Sequence, residues 1–308
     1  MTEPKSESLS QTTTFQQAPP KIVAGSPREA RTLKKMLYGF LNSTSIQAKV
    51  IAILLSLFIF VGIWQLFADL IGNQVILAPP VTVLEALVLL FQGHVPSGAE
   101  GLGNLYTATA RTIEIIIYGF ALSLLGIPLG IVMGRWKSAE AIIDPWINAL
   151  YVIPMIAFAP ILYFIIGGTY FADVFVSFLL GFFTVVINVY SSVEYISNSI
   201  AEIGRTFGAT EFQFLRKIVL PASLPDIVAG MRLGLGRCIL GALVGEILLT
   251  RSDLGDMMID FQSLLSTQYM MAVVFIVAII GIVAQQFPKL LEKRLFKWKE
   301  SERMSRGM

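Results

Sequence analysis

The chain has 308 residues, 55% of them hydrophobic and 14% charged, against about 25% charged in an ordinary soluble domain. A mean hydropathy of +0.71 and a net charge of +2 argue against a cytosolic enzyme, a nucleic-acid binder and a disordered chain. One cysteine, Cys238, leaves nothing to pair in an internal disulfide, and one histidine, His94, leaves no histidine-based metal cluster.

In chain order, residues 1–45 read as a disordered cytoplasmic tail rich in Ser, Thr and Gln. Within it, 28–40 suits either a helix lying on the membrane surface or a solvated linker. No signal peptide is expected, because the first apolar stretch begins near residue 50 without a small-residue cleavage site. Six apolar stretches follow, at about 50–71, 113–134, 145–167, 174–193, 227–249 and 267–288. Each approaches the roughly 20 residues that a helix needs to cross a hydrocarbon core. They are continuous rather than alternating, which excludes a barrel. The expectation is an all-α membrane protein with a six-helix membrane domain over 46–300 and a cytoplasmic tail over 301–308.

Between the first two spans, Pro79-Pro80 and the run Val81–Leu87 predict a short interfacial helix, followed by a Gly-rich loop from Gly93 to Gly103. Arg111 and Glu114, three residues apart, are expected to pair at the outer interface. In the second span Gly119, Gly126, Gly130 and Gly134 fall within an arc of roughly 80° on a helix. Pro128, Pro154 and Pro160 should interrupt helical hydrogen bonding, and Asp144-Pro145 should mark a helix start.

The 194–226 segment is the long inner loop. Glu202 suits the start of a short helix and Gly208 its end, while Leu220-Pro221 and Leu224-Pro225 close the loop. Phe207, Phe212 and Phe214 are expected to stay exposed there as a docking surface for another protein.

The fifth span repeats three of those offsets with Gly230, Gly241 and Gly245, and Gly234 also lies on that arc. Small residues on one face allow close helix approach in lipid, and tight static packing is preferred to a sliding surface. The same span carries Arg232, Arg237 and Glu246. A mid-span charge costs at least about 2.5 kcal/mol and needs a partner or water. Arg232 lies near an end and can reach the interface. Arg237 and Glu246 lie on different sides of the helix, so they cannot pair with each other, and both are pathway candidates. For Arg237 a fixed hydrogen bond to another helix is favoured over contact with an anion in transit. For Glu246 a gate lining and a helix anchor are equally open.

With the N-terminus inside, 19 of the 23 Lys and Arg residues fall on the inner segments, so both termini are expected in the cytoplasm. No Gly-x-x-x-x-Gly-Lys phosphate loop and no Ser/His/Asp set occur in the sequence, so any nucleotide must be hydrolysed elsewhere.

The inner loop resembles the signature of ATP-binding-cassette (ABC) importer permeases: Glu202, then Gly208 six residues on, then Leu220-Pro221. Ile203 and Gly204 stand where that signature has two alanines. The stretch from Trp64 to Phe296 is similar to the nitrate/sulfonate/taurine-type subgroup, with Gly126-Ile127-Pro128-Leu129-Gly130, Pro154, Gly208-Ala209, and Gly236-Arg237 followed by Glu246. The resemblance implies a type I ABC importer permease fold. It also implies that Glu202, Ile203, Gly204, Phe207, Gly208, Ala209 and Pro221 couple the helices to a separate ATPase. Gly126, Gly130, Gly134, Gly241 and Gly245 would be packing positions. Implied partners are ATPase subunits carrying ATP and Mg, a second copy of the chain, and an extracytoplasmic binding protein. The cargo would be a small anion such as nitrate, bicarbonate or an alkanesulfonate. Competing readings are a vitamin-precursor permease of the same family, a self-sufficient secondary carrier, and a membrane-embedded enzyme.

Overall fold

The computed structural model describes residues 46–99, 104–206 and 210–295. The expectations for 1–45, 301–308 and the loop residues Phe207, Gly208 and Ala209 lie outside these. Among the described residues every regular element is helical. The chain divides into two compact units, 1–62 and 63–308. The described part of the first, 46–62, is the beginning of helix α1 (Ile46–Ile71), whose side chains from Val50 on are almost all exposed.

In the second unit, Pro79 caps helix α2 (Pro80–Phe91), where the missing proline N–H costs nothing in the first turn. The Thr82 hydroxyl donates to Pro79 O at 2.8 Å and the Trp64 indole to Ala78 O at 3.1 Å. Asn104 caps α3 (Leu105–Ser123) by accepting from Tyr106 N. A turn at Leu124-Leu125 separates α3 from α4 (Gly126–Arg135). Pro128 falls in the first turn of α4, so the break lies before it rather than at it. Helix α5 (Lys137–Val152) carries Pro145 in its interior; the helix begins eight residues before the expected Asp144-Pro145 start, at Lys137. Helix α6 (Met155–Ile166) follows, capped by Pro154 and ended by Gly167 at φ +81°.

Helix α7 (Tyr170–Thr206) has 37 residues, about 55 Å at helical rise. Helix α8 (Glu211–Phe214) starts from a capping box in which Thr210 and Gln213 satisfy each other's backbone amides. A π-helical turn over Leu215–Val219 leads into α9 (Leu220–Gly245), which absorbs Pro221 and Pro225. The 194–226 segment is therefore mostly helix, with Pro221 in a first turn instead of a loop. A second π turn, Glu246–Thr250, ends at Arg251 in the left-handed region. Helices α10 (Asp253–Ser263), α11 (Thr267–Ala284) and α12 (Gln286–Leu295) complete the chain.

Among the described residues five helical stretches are long and apolar enough to cross a membrane: Val50–Ile71, Leu105–Arg135, Tyr170–Ile196, Glu211–Thr250 and Thr267–Leu290. Six were expected. The difference lies at 145–167, which splits into α5 and α6 because Pro154 offers no N–H and forces Ile153 into an extended conformation. Helix α7 is the axis of the unit. Its Val185, Val189 and Val193 are fully buried in a core shared with Ile115 and Ile116 of α3 and Leu235, Cys238 and Ala242 of α9. A second core joins α2 (Val83, Leu90) to Leu254 and Phe261 of α10 and Val273 of α11.

Candidate transport pathway and coupling hairpin

The two glycine arcs meet α7 from two sides, and the spacing leaves no room for side chains. A methyl group on Gly130 would sit 2.8 Å from Val186 O, and one on Gly134 2.8 Å from Tyr190 O. On Gly126 it would approach Phe182 O at 3.0 Å. From α9, Gly241 would meet Ser177 Cα at 2.6 Å, and Gly245 would meet Asp173 Cα at 2.8 Å. Such approaches gain van der Waals contact where no hydrophobic force acts between helices in lipid.

Arg232 and Arg237 of α9 and Glu246 just beyond it separate completely. Arg232 pairs with Glu292 of α12 at 2.9 Å. Glu246 is fully buried and accepts from the Thr112 hydroxyl at 2.6 Å and from Gly255 N at 2.9 Å, so it ties α3, α9 and α10 together. Beside it the buried Asp173 accepts from the Thr250 hydroxyl at 2.9 Å, and its Oδ1 has no hydrogen-bond partner. Arg237 is exposed and makes no hydrogen bond or ion pair among the described residues. The fixed helix-to-helix bond favoured for it is therefore not seen among the described residues, where it faces a groove and not a neighbouring backbone.

Where α7 and α8 approach one another, the glutamates meet cations. Arg135 at the end of α4 pairs with Glu211 and lies over the Phe214 ring at 5.2 Å. Phe214 is buried by this packing, contrary to its expected exposure, whereas Phe212 is exposed. Lys137 bridges Glu140 at 2.9 Å and Glu194 at 2.8 Å, and the Tyr190 hydroxyl donates to Glu140. These contacts hold the Lys137 ammonium above, and the Glu140 carboxyl below, their ordinary ranges. Glu202, Ile203 and Gly204 lie in the last turns of α7, and their side chains are outside the described set.

At the opposite end, Arg111 and Glu114 form no ion pair. The Arg111 charge acts instead on Asp253, whose carboxyl is pushed up chiefly by burial and only partly offset by Ser252 and Arg111. Among the described residues no cluster of His, Cys, Asp and Glu could hold a metal ion. The contacts of Arg135 with Glu211, and of Thr112 and Gly255 with Glu246, join residues 76, 134 and 9 positions apart. No periodicity signals the first two.

Residues 126–297 match the family of binding-protein-dependent transport system inner membrane components. The chain is 30% identical over 283 residues to the aliphatic sulfonates transport permease protein SsuC of Bacillus subtilis, covering 92% of this chain and 95% of that one. It is 30% identical over 245 residues to the formylaminopyrimidine transport permease protein ThiX of Halalkalibacterium halodurans, covering 78% and 92%. A chain of the MetNI methionine ABC transporter, solved in inward-facing conformations, shares the fold with a TM-score of 0.52. That match has 18% identity and covers 66% of this chain and all of that one. The chain belongs to the binding-protein-dependent inner-membrane permeases of ABC transporters, and is a multi-pass membrane transport subunit.

Proposed function

We propose that this chain forms the membrane pathway of an ATP-driven importer for a small anion, an alkanesulfonate being the cargo its similarity to SsuC favours. A separate ATPase subunit, with its ATP and Mg, docks against Glu202–Ala209. A second copy of the chain completes the pathway, and a soluble binding protein delivers cargo from outside. Both termini face the cytoplasm, in keeping with the side on which the Lys and Arg residues gather.

The observation that carries this reading is the α7–α9 hairpin. Two long helices packed glycine to backbone are joined in sequence through residues 207–219, so a push on that connection moves both together. Arg135 and Lys137 connect the same end to α4 and α5. Similarity to ThiX keeps a pyrimidine precursor as the second cargo.

The test is uptake of radiolabelled methanesulfonate by vesicles containing this chain, its co-purified ATPase and the binding protein encoded beside it. Uptake should require ATP, and Gly208→Trp should abolish it while leaving the assembled complex intact. Uphill accumulation by this chain alone, without nucleotide, would make it a self-sufficient carrier and end the proposal.

A further inference from the structure

Beside the α7–α9 seam lies a groove of about 460 Å³ between α5, α7 and α9. Tyr151, Pro154, Phe183, Thr184, Arg237 and Leu240 contribute to its walls. Its depth follows from the packing of α9 on α7. Gly234 and Cys238 bracket Arg237 in sequence and both lie against Gly181, near the middle of the Tyr170–Ile196 span. Arg237 is therefore a fixed positive charge about halfway across the membrane.

A charge at that depth is too costly to face hydrocarbon. Among the described residues it has no counterion, and no carboxylate lines the groove. Two neighbours strengthen the positive character of the space. Helix α6 begins at Met155 behind Pro154 with no side-chain cap, so its first amides and the positive end of its dipole adjoin the same groove. The Tyr151 hydroxyl, half exposed there, is unpaired among the described residues. A planar guanidinium with five donors matches two oxygens of an oxoanion. The remaining walls are apolar, and would strip water from the ion and sharpen that contact.

We infer that this groove is a station for a small oxoanion in transit, with Arg237 as its primary ligand and the start of α6 and the Tyr151 hydroxyl as additional donors. The inference rests on the reading of the chain as an anion permease and assigns that pathway a specific contact.

The first test needs neither nucleotide nor a partner subunit. Leu240→Cys, which places a thiol on the wall of the groove and keeps Arg237, is treated in native membranes with an anionic, membrane-impermeant methanethiosulfonate, with the wild type, whose Cys238 is fully buried, as control. Reaction is expected at the introduced thiol only. Nitrate or methanesulfonate at roughly ten times its dissociation constant should slow it about tenfold, and choline should not. No reaction, or a rate indifferent to both anions, overturns the proposal. Protection by assembly alone, whatever the anion, shows that the second copy covers the groove and also overturns it.

The second test is methanesulfonate uptake by the assembled importer. Arg237→Gln should lower it about tenfold or more, since a charged hydrogen bond is lost, and Arg237→Lys should recover part of it. Unchanged uptake by Arg237→Gln rejects the station while leaving the importer reading intact. Failure of that reading appears separately, as uptake that ignores ATP in the wild type.

Discussion

The two ends of the α7–α9 pair solve the same problem in opposite ways. At the end that carries Arg135 and Lys137, acidic side chains are paired with cations and keep contact with solvent, Glu211 exposed against Arg135 and Glu140 and Glu194 half-buried against Lys137. At the other end the carboxylates of Glu246 and Asp173 are buried and held by hydroxyls and an amide. Exposed ion pairs contribute little and re-form easily. Desolvated hydrogen bonds are expensive to break, because each partner is left without water. On the proposed reading, movement is cheap around Arg135, Lys137 and Glu211 and costly around Glu246, so that a push on the 207–219 connection would pivot the helices about a fixed far end.

The largest expected effect tests that fixed end. Glu246→Ala strands the Thr112 hydroxyl and the Gly255 amide and opens a void, a loss of about 3–5 kcal/mol. Glu246→Gln keeps an acceptor oxygen and should lose about 1–2 kcal/mol. Thermal unfolding of the purified protein in detergent measures both. A loss below about 1 kcal/mol for the alanine variant would place the two ends on the same footing and remove the pivot.

At the hairpin end the effect should be smaller. Arg135→Ala removes an ion pair to Glu211, itself three-quarters exposed, and the stacking over Phe214. The expected loss is about 1 kcal/mol, and the ion-pair share should fade in high salt. A loss that rivals Glu246→Ala and ignores salt would reverse the comparison.

Much of this contrast was legible in the sequence, but unevenly. The glycine arcs depend only on helical periodicity, and their faces are those that meet α7. The separation of Arg237 from Glu246 follows from the same geometry. The continuity of helix through Pro221 and Pro225 was not legible, because a proline near a helix start and one ending a loop look alike until the preceding turn is known. The split at Pro154 was missed for a related reason: an unbroken apolar run fixes hydrophobicity and not hydrogen bonding. Nor could spacing find Thr112 as the partner of Glu246, since tertiary packing alone brings them together.

The ends should also respond to pH with opposite sign. Burial, the largest cause, raises the Asp253 and Asp256 carboxyls above their ordinary value of 3.8. The folded state thus binds more protons than the unfolded one there, so their effect on stability worsens as pH rises from about 3.8 through the raised values. Glu140, bonded to Lys137 and Tyr190, is lowered from 4.5; its contribution is complete above that value and disappears as pH falls through the lowered one. Melting temperatures between about pH 3 and about pH 7 should show Asp256→Asn closing on or overtaking the wild type with rising pH. Glu140→Gln should be relatively weakest at the neutral end. Asp256 is also paired with Arg251 at 3.0 Å, so the same direction for both variants would mean that pairing and not burial governs it.

The smallest change in stability belongs to the charge midway between these ends. Arg237 has no hydrogen bond or ion pair to lose among the described residues, and it looks into open space rather than into packed side chains. Removing its charge leaves no stranded partner, so Arg237→Gln should alter unfolding stability by less than about 0.5 kcal/mol, the range of a substitution away from structural contacts. The measurement is the same thermal unfolding used for Glu246→Ala. The expected pairing is a large loss at one end of α9 and almost none nine residues away. A drop of several kcal/mol at Arg237 would mean that the assembled protein buries a carboxylate against it. The middle of the span would then be as rigidly held as the Glu246 end, and the hairpin could not pivot past it.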